Sequence, residues 1–135
     1  MDAVAEAARA PDLMIPAIGV TGVVLAGGQG RRMGSVDKGL VALDGRPMVA
    51  HVLERFAPQV DEVLINANRH VDEYAAFGHR VIADAIGGFA GPLAGLHVAL
   101  SNASHALIAT VPCDSPFLPG DLVFRLRIAL DAAGA

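Results

Sequence analysis

Leu25-Ala-Gly-Gly-Gln-Gly-Arg-Arg-Met-Gly-Ser-Val-Asp-Lys38 is the stretch that decides how this chain is read. It follows Val20-Thr-Gly-Val-Val-Leu25, an apolar run with the character of a buried strand. Gly27, Gly28, Gly30 and Gly34 then fall close together. A glycine weakens a regular element by roughly 0.5–1 kcal/mol relative to Ala, so their concentration points to a loop with a bare, unusually folded backbone. Such a loop can turn its N–H groups inward as an anion nest. Arg31, Arg32 and Lys38 place cations beside it, which together describes a phosphate cradle. The spacing is neither Gly-x-x-x-x-Gly-Lys-Ser/Thr nor Gly-x-Gly-x-x-Gly, so neither a P-loop NTPase nor a dinucleotide enzyme is favoured. The plain alternative is a glycine-rich surface turn with solvated arginines.

The rest of the composition suits that cradle. A chain of 135 residues is one domain, long enough to bury a substantial core. Hydrophobic residues make up 53% and aromatics only 4%, a Val/Ala/Leu/Ile-rich balance expected of a sheet covered by helices on both faces. The net charge of −4 argues against nucleic acid or an anionic membrane as partner. Yet Arg31, Arg32, Lys38 and Arg46 cluster near the loop, which fits a small anionic ligand. The single cysteine, Cys113, excludes an internal disulfide and fits a reducing, cytoplasmic setting. No apolar run reaches the ~18 residues of a membrane span. Residues 1–19 form an Ala-rich extension without the features of a signal peptide, and residues 20–135 form the domain.

In chain order, the pattern predicts a strand over Val20–Ala26 and, after the loop, a short extended piece over Gly39–Leu43 closed by Asp44-Gly45. A helix over Pro47–Ala57 shares Val49, Val52, Leu53 and Phe56 on one face. Asp61–Ala67 is a second strand, His70–Phe77 a short helix and Arg80–Ala83 a third strand ending at Asp84. A second glycine-rich loop, 86–95, leads into a helix over Leu93–Leu100. Ala106–Val111 is a fourth strand, stopped by Pro112-Cys-Asp-Ser-Pro-Phe117. A last helix from Pro119 to Ala132 carries Leu122, Val123, Leu126 and Leu130 on one stripe. Strand and helix alternate, so the fold expected is α/β with a mostly parallel sheet. The glycine loop, Asn66, Asp84 and Asp114 then all follow C-terminal strand ends, where open α/β sheets bind ligands.

At these residues the chain resembles the molybdenum cofactor guanylyltransferases, within the sugar-nucleotide type of nucleotidyltransferases. The likeness rests on Leu25-Ala-Gly-Gly-x-Gly-x-Arg-Met-Gly-x-x-Asp-Lys38, Asn66-Ala-Asn-Arg69, Gly91-Pro-Leu-Ala-Gly95 and Pro112-Cys-Asp-Ser-Pro116, and spans about Val20 to Leu130. It implies a three-layer α/β/α, Rossmann-like fold. It implies transfer of GMP from GTP to the phosphate of molybdopterin, with pyrophosphate released and Mg²⁺ required. By the same resemblance Leu25, Ala26 and Gly27 hold the nucleotide through backbone contacts, and Lys38 contacts its phosphates. Asn66 and Asp84 match further GTP-binding positions, Gly95 a small residue near the nucleotide, and Arg32 an arginine at the reacting phosphates. Asp114 matches the carboxylate that holds Mg²⁺. Molybdoenzymes and other cofactor-biosynthesis proteins are the implied partners. Cytidylyl- and sugar-phosphate nucleotidyltransferases share the first loop and are the rival enzymatic reading; a GTP-binding fragment without catalysis is the non-enzymatic one.

Charge counting is consistent with that chemistry. A triphosphate carries about four negative charges at neutral pH. Lys38 and the loop arginines offset most of them, and Mg²⁺ with Asp114 brings the site near neutrality. Each residue also has a plain role. Asp114 could cap the turn before Pro116, Asn66 could bond to strand-edge backbone, and Asp84 could be an ordinary turn residue. Arg31 reads as a surface arginine and Cys113 as a small buried residue. The five histidines show no metal-ligand spacing. Relatives of this kind continue through further strands and helices that build the molybdopterin side of the cleft. The expectation is that this chain holds the nucleotide half, binds GTP–Mg²⁺ weakly and transfers little or nothing alone.

Overall fold

The structure, a computed structural model, describes residues 19–26, 37–84 and 92–134. The central strand is β1 (Val20–Leu25), buried from Val20 to Val24. A strand buried on both faces need not alternate, which is why β1 reads as an unbroken apolar run. A two-stranded hairpin follows, β2 (Ala42–Leu43) and β3 (Arg46–Pro47). It turns through Asp44 and Gly45, both with positive φ (52° and 79°), the two-residue geometry favoured by Asp-Gly. Helix α1 (Met48–Phe56) leads to β4 (Glu62–Asn66), then α2 (Val71–Ala75) to β5 (Arg80–Ile82). Helix α3 (Pro92–Asn102) leads to β6 (Leu107–Pro112), and α4 (Leu122–Ala132) closes the described chain.

The main sheet has the order β5-β4-β1-β6 and every pair in it is parallel. The chain moves outward from β1 through β4 to β5, then crosses back to place β6 on the other side of β1. The order therefore reverses between β1 and β6, and the C-terminal ends of these strands form the crevice that α/β sheets use for ligands. Register brings Leu25 level with Asn66 on one side and Pro112 on the other, and Asn66 level with Ile82.

Helices cover both faces, as the three-layer expectation requires. On one, Val49, Val52, Leu53 and Phe56 of α1 pack with Val20, Val24, Val63, Ile65 and Val111. The i, i+3, i+4, i+7 spacing of those α1 residues is what puts them on one stripe. Gly22 lets α1 come close: a Cβ there would lie 2.6 Å from the Phe56 ring. On the opposite face Val98 and Ala99 of α3 cover Val23, Leu64 and Ile82.

Two segments differ from the sequence reading. Residues 38–40 form a 3₁₀ turn rather than extended chain, because the Asp37 carboxylate accepts a hydrogen bond from the Gly39 N–H at 3.2 Å and closes the turn. Helix α4 starts at Leu122 rather than Pro119, with the Val123 N–H donating to the Gln59 side chain at 2.9 Å. Of its apolar stripe only Val123 is buried; Leu126 is 47% exposed, and Leu130, Phe124 and Ile128 are exposed too. The helix packs beside residues 57–59, and among the described residues its outer apolar side chains stay exposed. Among the described residues no helix is long and apolar enough to cross a membrane.

Candidate functional site

Backbone hydrogen bonds lock the four strand ends to one another. The Ala26 N–H donates to the Asn66 carbonyl at 2.8 Å, the Ala67 N–H to Ile82 at 3.0 Å, and the Cys113 N–H to the Leu25 carbonyl at 3.1 Å. The residues that leave the strands thus start from a fixed edge. Two groups of side chains stand on it.

The first group sits over β4 and β5. Asn66 is 2% exposed, and its Nδ2 donates to the Ile82 carbonyl (3.3 Å) and to Asp84 Oδ1 (2.9 Å). Asn68 Nδ2 donates to Asp84 Oδ2 at 2.9 Å, while the Asp84 N–H donates to Asn68 Oδ1 at 2.8 Å. Asp84 is therefore more than a turn residue: both carboxylate oxygens orient amides. Gly95, in the first turns of α3, rests on the same group. A Cβ at Gly95 would lie 2.6 Å from Asn66 Oδ1 and 2.7 Å from Leu25 Cδ2. Leu25, Asn66, Asp84 and Gly95, drawn from remote parts of the sequence, are thus one packed unit, with Ala26 bonded to its edge.

The second group spans the crevice between β1 and β6. Lys38 Nζ lies 3.9 Å from Asp114 Oδ2, with the side chains 54% and 34% exposed. An ion pair so open contributes at most about 1 kcal/mol, and a ligand can readily take it apart. Beneath it, Cys113 is buried and its thiol is pushed up to about 12, first by burial and then by the charges of Asp114 and Asp37. It remains a thiol at neutral pH, the packing role expected of it rather than a nucleophile.

The turn that carries Lys38 is held by Asp37 of the same signature, together with His70 and Tyr74, to which the sequence assigned no site. Asp37, with a side chain only 8% exposed, accepts hydrogen bonds from the Gly39 N–H, the Tyr74 hydroxyl and, at 3.0 Å, His70 Nδ1. A carboxylate can only accept, so His70 carries its proton on Nδ1. Burial, then the bond to Asp37, push the Tyr74 phenol upward, so it stays protonated and donates. One sequence signal pointed here: Tyr74 is the only tyrosine, and a buried tyrosine needs a partner for its hydroxyl.

Arg32, Gly27 and the remaining loop residues Gly28, Gly30, Arg31 and Gly34 lie outside the described residues, as do Gly87, Gly88 and Gly91 of the second glycine-rich loop. A divalent cation is compatible with what is described. Asp114 offers a hard, partly exposed oxygen donor whose ion pair is loose. Among the described residues no three His, Cys, Asp or Glu side chains gather as a metal cage. A cation here would complete its shell with phosphate oxygens and water, the habit of Mg²⁺.

Comparison with known proteins gives the family. The chain is 53% identical over 122 residues to the molybdenum cofactor guanylyltransferase of Ralstonia nicotianae, covering 90% of this chain and 60% of that protein. It is 56% identical over 120 residues to the protein of the same name from Burkholderia orbicola, covering 86% of this chain and 58% of that one. The chain thus spans about three-fifths of the length of these curated relatives. Among solved structures it is similar to molybdopterin-guanine dinucleotide biosynthesis protein A from Archaeoglobus fulgidus, with a TM-score of 0.64 at 26% identity, over 84% of this chain and 57% of that one. The family profile described as the MobA-like NTP transferase domain matches residues 22–135, and the chain belongs to that family.

Proposed function

We propose that this chain is the nucleotide-binding part of a molybdenum cofactor guanylyltransferase. In that reaction an oxygen of the molybdopterin phosphate attacks the α-phosphorus of GTP. The bond to the β-phosphate bridge oxygen breaks, pyrophosphate leaves, and the guanine dinucleotide form of the cofactor results. The observation that carries the reading is the Lys38–Asp114 pair: residues 76 positions apart in sequence meet at the crevice between β1 and β6. A cation and a hard carboxylate at a switch point are what a triphosphate and its metal need.

The described residues divide the work. The backbone of Leu25 and Ala26, at the floor of the crevice, faces the nucleotide. Asn66, tied to Ile82 and Asp84, fixes the wall on the nucleoside side, and Gly95 lets helix α3 close against it. Lys38 offsets phosphate charge as the leaving group departs. Gly27 and Arg32 complete the phosphate side on the strength of the family signature. Mg²⁺, held by Asp114, the phosphates and water, supplies Lewis-acid stabilisation of phosphate charge when bound. The protein contributes position and charge rather than a covalent intermediate, as is usual for phosphoryl transfer. Cytoplasmic residence, with molybdopterin as acceptor and molybdoenzymes receiving the product, belongs to the same proposal.

The test is a binding and turnover series with GTP, CTP and UTP in the presence of Mg²⁺. The reading expects GTP to bind tightest of the three, with at most slow GMP transfer in an assay supplied with molybdopterin. A preference for CTP would move the chain to the cytidylyl reading. GTP binding without any transfer would leave the binding fragment.

A further inference from the structure

We propose that Tyr74 and His70 are positioning residues for Lys38, acting through Asp37. This rests on the reading of Lys38 as the phosphate contact. The exposed Lys38 ammonium is not anchored by its own contacts: its ion pair with Asp114 spans 3.9 Å. Its aim must come from the backbone beneath it, and that backbone is tied from several directions. The Leu40 N–H donates to the Asp37 carbonyl at 3.0 Å and the Val41 N–H to the Lys38 carbonyl at 3.2 Å. Oδ1 of the Asp37 carboxylate takes both the Gly39 N–H and the Tyr74 hydroxyl, and Oδ2 takes the His70 imidazole. One buried carboxylate therefore joins the Lys38 turn to α2, an element that follows β4.

The same turn is wedged against β6. A Cβ at Gly39 would meet the Tyr74 hydroxyl and lie 3.1 Å from Cys113 Cβ and Sγ. Cys113 precedes Asp114, so the brace fixes Lys38 relative to Asp114 as well as to the sheet. His70 itself holds φ 54°, a left-handed conformation uncommon for a residue other than glycine. Its ring is thereby turned back toward Asp37 from the start of α2. Hydrogen bonds to a charged group are roughly twice as strong as neutral ones, and a buried carboxylate that loses a donor seeks another. Removing the Tyr74 hydroxyl would release the turn and unfix the lysine, without touching the nucleotide directly.

The experiment is a double-mutant cycle read by titration with GTP and Mg²⁺, using the parent chain, Tyr74→Phe, Lys38→Ala and both together. Tyr74→Phe, which keeps the buried ring, is expected to weaken GTP binding about tenfold. In the Lys38→Ala background the same change is expected to have no further effect, because the brace acts through that lysine. A tenfold loss in both backgrounds, or no loss in either, overturns the proposal. His70→Gly removes the imidazole while permitting the left-handed backbone, and is expected to give a smaller loss, about threefold, that also vanishes without Lys38. If the parent chain prefers CTP, the guanylyl reading fails while the cycle, run with CTP, still tests the brace. Hydrogen exchange needs no nucleotide at all: Tyr74→Phe is expected to speed exchange of the Gly39 amide about tenfold. An unchanged rate there overturns the proposal.

Discussion

The two sides of the crevice are built differently. Over β4 and β5, Asn66, Asn68 and Asp84 form a closed set of hydrogen bonds between 2.8 and 3.3 Å, with Gly95 pressed against it. Over β1 and β6, Lys38 and Asp114 stand half-exposed and 3.9 Å apart. The first side is a wall whose geometry exists before any ligand arrives. The second is an adjustable pair of charges. The division matches the ligand proposed for it: a nucleoside is rigid and is read by fixed polar groups, whereas a triphosphate and its cation must shift as a bond breaks. Substitutions should then behave differently on the two sides. On the charged side they should remove function and spare the fold. On the wall they should disturb both.

The largest effect is expected from Asp114→Ala. Losing a preorganised charge at a phosphoryl-transfer centre should lower Mg²⁺-dependent turnover by about 10²–10³. Because the residue is partly exposed and loosely paired, unfolding free energy should change by no more than about 0.5 kcal/mol. Comparable losses of turnover and stability in one variant would erase the contrast. Gly95→Ala attacks the wall. Its methyl would collide with Asn66 and Leu25, and overpacking of this kind typically destabilises by about 1–3 kcal/mol. Chemical denaturation should show that loss together with weakened GTP binding; a silent variant would mean that the helix is free to move. Asn68→Ala removes two hydrogen bonds with Asp84 near the surface, one donated and one accepted, and should give a smaller loss, about 0.5–1.5 kcal/mol, by the same measurement. The smallest effect should come from the far end of the sheet. There the Ser104 N–H, followed by the Thr21 hydroxyl, holds the Glu62 carboxyl below its ordinary range. Its folded-state pKa is depressed, so its contribution is present at neutral pH and fades as pH falls below the ordinary carboxylate range. Thr21→Val should flatten this acid-side loss of stability in a pH series, while leaving GTP binding at neutral pH unchanged.

Much of this arrangement could be read from the residues alone, for identifiable reasons. The buried run of β1, the α1 stripe and the Asp44-Gly45 turn are local signals, and local signals survive folding. The convergence of Asn66, Asp84 and Asp114 followed from topology, since strands that alternate with helices end on a common edge. Helix α4 shows where such reading stops. Leu122, Val123, Leu126 and Leu130 have the same spacing as the α1 stripe, yet only Val123 is buried. Spacing says which residues share a face; it does not say that anything covers the face. Lys38–Leu40 shows a second limit, because a single carboxylate at Asp37 turned an extended piece into a 3₁₀ turn. The brace from Tyr74 and His70 joins residues more than thirty positions away, beyond any local pattern. Arg32 and Gly27 lie outside the described residues, so their roles rest on the family signature.

The central claim is that one edge of the sheet, from the β4–β5 wall to the Lys38–Asp114 pair, is a single nucleotide site. The most direct measurement is a two-dimensional amide NMR spectrum of the labelled chain, titrated with GTP and Mg²⁺. Shifts are expected to move together at Ala26, Lys38, Asn66 and Asp114, and to stay still at Thr21, Glu62 and Ser104 on the opposite edge. Shifts concentrated at that opposite edge or along α4, or no shifts at saturating GTP, would contradict the claim.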